Sequence, residues 1–144
     1  IIRPVAFIPD FELKTSAARA ALPSSVPHAD ACFNVSRAAL LTALLSGASS
    51  DAGEGPLHGL LMDATEDRLH QDARRPAMEP SLALVDWLRG AGMAAVVSGA
   101  GPTVLSLEDV DPQICEDARK AGWRVLPLPV AATGARITQG RLAE

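Results

Sequence analysis

The most chemically suggestive stretch of the chain is Val96-Val97-Ser98-Gly99-Ala100-Gly101-Pro102-Thr103-Val104. Two glycines separated by one small residue let backbone N–H groups come close to an anion, and Ser98 and Thr103 add hydroxyls. The same residues suit a tight hairpin loop whose glycines take positive φ. Short glycine motifs are weak by themselves, so on pattern alone the hairpin reading leads. Thr15 and Arg19 lie four residues apart and would share one helix face. A guanidinium beside a hydroxyl can hold a carboxylate through two parallel bonds. The competing reading has Thr15 capping a helix and Arg19 in solvent, the commoner fate of a surface arginine. His70-Gln71-Asp72-Ala73-Arg74-Arg75 is a charged run that reads as a solvated loop or helix end.

Asn34 and Arg37 interrupt an apolar segment, where each needs a partner, expected to be a structural hydrogen bond to a neighbouring segment. Cys32 and Cys115 are far apart and read as small core residues. His28, His58 and His70 share no metal-ligand spacing, and no nucleophile–base pair or catalytic carboxylate pair is visible. The chain is therefore expected to contribute neither a catalytic group nor a metal ligand.

The elements that must position these groups follow from pattern. Pro4-Val5-Ala6-Phe7-Ile8-Pro9 is a short apolar run bounded by prolines, as in a strand. A short alanine-rich helix is expected over residues 16–22, with Thr15 as its cap and Pro23 as its stop. Residues 31–46 read as a helix apolar almost all round and so buried on most sides, with Asp30 in its first turn and Gly47 ending it. A loop over 46–56 precedes a helix at 57–64, and a polar run covers 65–75. The helix at 81–90 places Leu84, Val85 and Leu88 on one face, with Asp86 and Arg89 off it. Strands at 93–97 and 103–107 flank the glycine loop as an antiparallel hairpin. A helix over 111–121 with Asp111 as cap, a strand at 123–130 and an extended piece from Gly134 complete the chain. These elements make an α+β domain, with helices packed on one face of a small antiparallel sheet.

Composition sets the outer limits. A chain of 144 residues, 48% hydrophobic and 21% charged, is one domain with enough apolar material for a core. Proline, glycine and charge interrupt every apolar stretch well short of a membrane span. Thirteen basic against seventeen acidic residues give a net charge of -4, which argues against a nucleic-acid or anionic-membrane partner. The cysteine usage suits a reduced, cytoplasmic setting. The chain opens on Ile1-Ile2 without a signal-peptide pattern, and reads as a piece of something longer.

Three segments together resemble a known family. The loop Ser98-Gly99-Ala100-Gly101-Pro102-Thr103 is similar to the third conserved motif of the GHMP small-molecule kinases, the superfamily of galactokinase, homoserine kinase, mevalonate kinase and phosphomevalonate kinase. Residues 11–23, with Thr15 and Arg19, resemble the homoserine kinase branch, as does Glu66-Asp67-Arg68-Leu69-His70-Gln71 with Arg74 following. The likeness runs from Pro4 to about Arg141, with Asp72-Ala73 standing where relatives tend to have Pro-Tyr. It implies a ferredoxin-like C-terminal domain of a homoserine kinase, filling residues 1–144. That enzyme moves the γ-phosphoryl of ATP onto the hydroxyl of L-homoserine on the route to threonine. By the same resemblance, Arg19 and Arg74 would grip the substrate carboxylate with Thr15 beside them. Ser98, Gly99, Ala100, Gly101 and Thr103 would support the phosphate-binding region. ATP and Mg2+ would be held mainly by an N-terminal kinase domain, this chain's expected partner, and a homodimer is open as well. The proline-led glycine–serine nucleotide loop of that domain does not occur here, so the isolated chain is expected to be inactive. Two other readings stay open: part of another GHMP kinase, and an amino-acid-binding regulatory module that does no chemistry.

Overall fold

The computed structural model describes residues 2–46, 54–131 and 133–134. Its frame is a four-stranded antiparallel sheet of β1 (Val5–Ile8), β2 (Ala95–Val97), β3 (Val104–Ser106) and β4 (Arg124–Pro127), in the order β2-β3-β1-β4. Helix α5 (Glu79–Gly90) lies in the connection from β1 to β2, and α6 (Pro112–Lys120) joins β3 to β4. That order and connectivity are those of a ferredoxin-like split β-α-β fold. The remaining helices are α1 (Thr15–Ala20), α2 (His28–Leu45), α3 (Glu54–Ala64) and α4 (Gln71–Arg74), the last running into a 3-10 turn at Arg75–Ala77.

Strand alternation puts Val5 and Phe7 on the same face as Ala95, Val104 and Val125, and the register aligns Phe7 with both Val104 and Val125. Against that face pack Leu84, Val85 and Leu88 of α5 and Cys115 and Ala118 of α6. Burial of Phe7 alone contributes roughly 2–3 kcal/mol. Burial also pushes the Cys115 thiol pKa up, as suits an inert core sulfur. The expected α+β arrangement of helices on one face of the sheet is thus observed for α5 and α6. Helices α2 and α3 form a second cluster, Leu44 with Leu61, Ala64 and Ala94.

Several boundaries differ from the sequence reading for local reasons. Helix α1 begins at Thr15 with Lys14 at its N-cap, so Thr15 is a helical residue and not the cap. The Lys14 carbonyl already accepts from the Ala17 and Ala18 amides, and the helix stops at Ala20, before Pro23. Helix α2 starts three residues earlier than expected, because the Pro27 carbonyl accepts from Asp30 and Ala31; Asp30 does sit in the first turn. Helix α3 begins at Glu54, and α5 takes Pro80 into its first turn, where a missing N–H costs nothing. Three strands are shorter than expected. The Asp111 cap holds, its carboxylate accepting from the Gln113 amide at 2.7 Å. Gly47, most of the loop expected over 46–56 and all of the last extended piece beyond Gly134 lie outside the described residues.

Two expectations about burial are corrected. Leu44 is the one buried residue of α2, and Val35 is 70% and Leu45 51% exposed. The described residues cover the side of α2 that meets α3 and the segment after it, and leave the flank with Val35 and Leu45 bare. Cys32 is exposed rather than in a core: it lies on that uncovered helix, with its Sγ 3.3 Å from His28 Nε2.

Candidate functional site

The glycine loop is a hairpin turn between β2 and β3, closed by Ser98 N donating to the Thr103 carbonyl at 2.8 Å and Gly101 N to the Ser98 carbonyl at 3.0 Å. Gly99 and Gly101 have φ of 61° and 83°, the left-handed region that favours glycine. The hairpin reading holds, and the amides of Gly99 and Ala100 make no hydrogen bond among the described residues. The loop is tied down on its inner side. Ser81 on α5, fully buried, donates its hydroxyl to the Pro102 carbonyl at 2.6 Å.

Helix α4 holds the loop from a second direction. Gln71 accepts from the Val97 amide at 2.8 Å, and Arg74 donates Nη1 to the Gly99 carbonyl at 3.0 Å. The Arg74 Nε reaches the Ala18 carbonyl of α1 at 3.3 Å, so one guanidinium joins α1, α4 and the loop. An apolar cluster of Ala18, Met78 and Leu82, with Ala100 packed against it, ties α1 and the loop to the start of α5. The Arg74 Nη2 makes no hydrogen bond among the described residues, which leaves it free for a ligand.

Thr15 and Arg19 stand on the exposed side of α1, and the Arg19 side chain has no ion-pair or hydrogen-bond partner among the described residues. Arg19 therefore adjoins Arg74 through Ala18, the residue before it in sequence. The structure brings the two segments side by side, with Arg74, Ser98 and Gly99 at the wall of one cavity and Thr15 and Arg19 outside its lining. That cavity, about 580 Å³, lies between α2 and the sheet face opposite α5. Ala38, Leu41, Val96 and Leu105 make its apolar side; Arg37, Glu66, Asp67, His70, Gln71 and Arg74 make its polar side.

Asp67, which no chemical motif singles out in the sequence, organises that polar side. Its carboxylate accepts from Asn34 Nδ2 at 2.6 Å, from the Gln71 amide at 2.6 Å, from the His70 amide at 2.8 Å and from His70 Nδ1 at 3.1 Å. Burial alone would raise its pKa, but these four bonds outweigh it and hold the group down at about 2. The folded-state value lies below the ordinary 3.8, so this carboxylate stabilises the fold above that range and loses the contribution as pH falls towards 2. With Asp67 ionised, His70 Nδ1 carries the proton and donates. Asn34 completes the link by accepting from the Arg68 amide at 2.8 Å, so the expected structural hydrogen bond of Asn34 is present. Arg37 stacks on Phe33, 4.5 Å from its ring centre, and lies 3.5 Å from Glu66; its buried Nε lacks a partner among the described residues. An aspartate shortly ahead of a helix is a recognisable cap signal, but a four-residue helix inside a charged run hides it.

Arg75, next to Arg74, has a different role. It pairs with Asp86 at 2.8 Å and Asp72 at 2.9 Å, and those partners raise its pKa. Arg89 likewise serves the fold, donating to Thr65, to the Met62 carbonyl at the end of α3 and to the Ala95 carbonyl. Among the described residues, no group of three or more His, Cys, Asp or Glu side chains is placed to hold a metal ion. Among the same residues, no helix is long and apolar enough to cross a membrane.

Comparison with known proteins gives this geometry a context. The chain is 47% identical over 138 residues to a homoserine kinase of Streptomyces avermitilis, covering 94% of the chain and 42% of that protein. It is 52% identical over 110 residues to a homoserine kinase of Streptomyces coelicolor, covering 76% of the chain and 33% of the relative. A homoserine kinase of Corynebacterium kroppenstedtii is 47% identical over 132 residues, 90% of the chain and 40% of its own length. The chain thus spans well under half the length of the curated relatives it matches. A crystal structure of homoserine kinase from Cytophaga hutchinsonii shares the fold, with a TM-score of 0.61 at 19% identity, over 90% of this chain and 42% of that one. No protein-family model matches.

Proposed function

We propose that this chain, a homologue of the homoserine kinases over nine-tenths of its length, forms the substrate-side part of such an enzyme. The reaction it serves moves the γ-phosphoryl of ATP to the side-chain hydroxyl of L-homoserine. The hydroxyl oxygen bonds to the γ-phosphorus, the bond to the bridging oxygen breaks, ADP leaves, and the hydroxyl proton is lost. The observation that carries the reading is Arg74. Its Nε and Nη1 are spent on the Ala18 and Gly99 carbonyls, which aims the guanidinium; Nη2 stays unpaired among the described residues, as does the side chain of Arg19, the residue after Ala18 on α1. Two guanidinium groups fit the one permanent anion of an amino-acid substrate, and Thr15 lies one helical turn from Arg19 on the same face. Phosphoryl transfer depends on positioning and charge stabilisation, and a fixed carboxylate positions the far hydroxyl.

The loop from Ser98 to Thr103 supports the phosphate region in this account, with the Gly99 and Ala100 amides as donors to an oxyanion. ATP enters as its Mg2+ complex, and its binding falls mainly to the polypeptide that the relatives have beyond the matched part. That polypeptide is the partner assigned to the bare apolar flank of α2, including Val35 and Leu45, and to the mouth of the cavity beside it. The reading places the protein in the cytoplasm, on the route to threonine.

The test is phosphoryl transfer by the native protein that carries this chain, offered ATP and a panel of acceptors. L-homoserine is expected to be phosphorylated, and mevalonate and galactose, which lack an α-amino-acid carboxylate, are expected to be inert. Transfer to another acceptor with homoserine inert would move the chain to a different kinase. Homoserine binding with no ADP formed would make it an amino-acid-binding module.

A further inference from the structure

Arg74 can act on a ligand only if α4 holds still, and α4 is a single turn of four residues that cannot stabilise itself. The amides that begin it would be unsatisfied in isolation. Both the His70 and Gln71 amides donate to Asp67, whose side chain is only 13% exposed, and Asp67 in turn is held by Asn34 on α2. From the same turn, Gln71 accepts from Val97 and Arg74 donates to Gly99. An unbroken path of hydrogen bonds thus runs from α2 through Asp67 to α4, and from α4 to the glycine loop.

We infer that Asp67 is the positioning residue for Arg74, with Asn34 as the anchor that fixes Asp67 to α2. Asp67 touches no ligand in this account; it sets the α4 turn so that the Arg74 guanidinium keeps its direction. The inference rests on the reading of Arg74 as a homoserine carboxylate donor. It adds two residues, one of them on a helix 33 positions away in sequence. It also assigns a purpose to a half-buried carboxylate that makes no ion pair with Lys or Arg among the described residues. Asp67→Asn replaces an acceptor by an amide, and one of its two polar atoms must then present N–H to N–H donors. The turn has to shift to relieve that opposition.

The experiment compares Asp67→Asn, Asn34→Ala, Arg74→Ala and the double variant Asp67→Asn/Arg74→Ala in the native protein that carries this chain. Asp67→Asn should raise the KM for L-homoserine at least tenfold while the KM for ATP stays within twofold. Asn34→Ala, which removes the bond to Asp67 and the one from the Arg68 amide but leaves the backbone caps on Asp67 in place, should give a smaller rise in the same direction. The double variant should be no worse for homoserine than Arg74→Ala alone, because an arginine that is absent cannot be misaimed. A homoserine KM within twofold of wild type in Asp67→Asn, with Arg74→Ala strongly impaired, overturns the inference and leaves the carboxylate role standing. Equal rises in both KM values, or losses that add fully in the double variant, reduce Asp67 to general structure and also overturn it. An unchanged homoserine KM in Arg74→Ala overturns the underlying reading instead. Should Asp67→Asn fail to fold, Asn34→Ala alone decides by the same split.

Discussion

Replacing Arg74 with alanine is expected to weaken L-homoserine binding by 30-fold or more, with little change in ATP binding. Removing one member of a charge-assisted pair costs roughly 2–5 kcal/mol when its partner is left without a counter-charge, and 1.36 kcal/mol is tenfold. Arg74 is only half-buried, which favours the lower end of that range, but its removal also unties Ala18 from Gly99. The neighbouring Arg75→Ala is the internal comparison. It breaks the pairs with Asp86 and Asp72 at the surface, costs on the order of 1 kcal/mol of stability or less, and leaves homoserine binding intact. Titration of both variants with homoserine and with ATP checks the split. Equal losses for the two ligands in Arg74→Ala would reject the assigned role.

Gly101→Ala is expected to be the most damaging single-methyl change in the glycine loop. A Cβ at Gly101 would sit 2.8 Å from Met78 Sδ, 2.9 Å from Met78 Cε and 3.0 Å from Val97 Cγ1. Met78 is flexible by type but fully buried, so it has little room to retreat. The residue also holds φ at +83°, which costs an L-residue about 1–2 kcal/mol, and overpacking adds about 1–3 kcal/mol. A loss of roughly 2–5 kcal/mol lowers the thermal midpoint by on the order of 10 °C in a domain of this size. Gly99→Ala carries the φ penalty without a clash, since no atom lies within 4 Å of its added Cβ, and should cost about 1–2 kcal/mol. Thermal unfolding followed by circular dichroism ranks the two. Similar midpoints for both variants would show that the loop is not packed on Met78 as described.

The contrast between Arg74 and Arg75 shows where sequence reading stops. The two are adjacent arginines in one charged run, and nothing in their local pattern separates the one that reaches the glycine loop from the one in a surface ion pair. The separation comes from Asp86 on α5 and Gly99 in the loop, which meet these side chains only through the fold. Local chemistry was legible where it was self-contained. Proline bounds on β1, the Asp111 cap, the Leu84–Val85–Leu88 stripe and the glycine hairpin each follow from a few neighbouring residues. Burial of α2 was not legible, because an apolar helix announces that it needs a cover and not which residues supply it. Asp67 escaped for a related reason, since its bonds are to α2, to a backbone turn and to a histidine that the fold alone assembles.

The most direct test of the central claim, that this chain carries the carboxylate grip for homoserine, is a calorimetric titration of the native protein with two ligands. L-homoserine presents a carboxylate; L-homoserinol presents an uncharged hydroxymethyl group in its place and is otherwise the same. Binding of homoserine with homoserinol weaker by about 30-fold or more is the predicted result, given the loss of a charge-assisted pair. Equal binding of both would contradict the assignment of Arg19 and Arg74 and with it the account of this site.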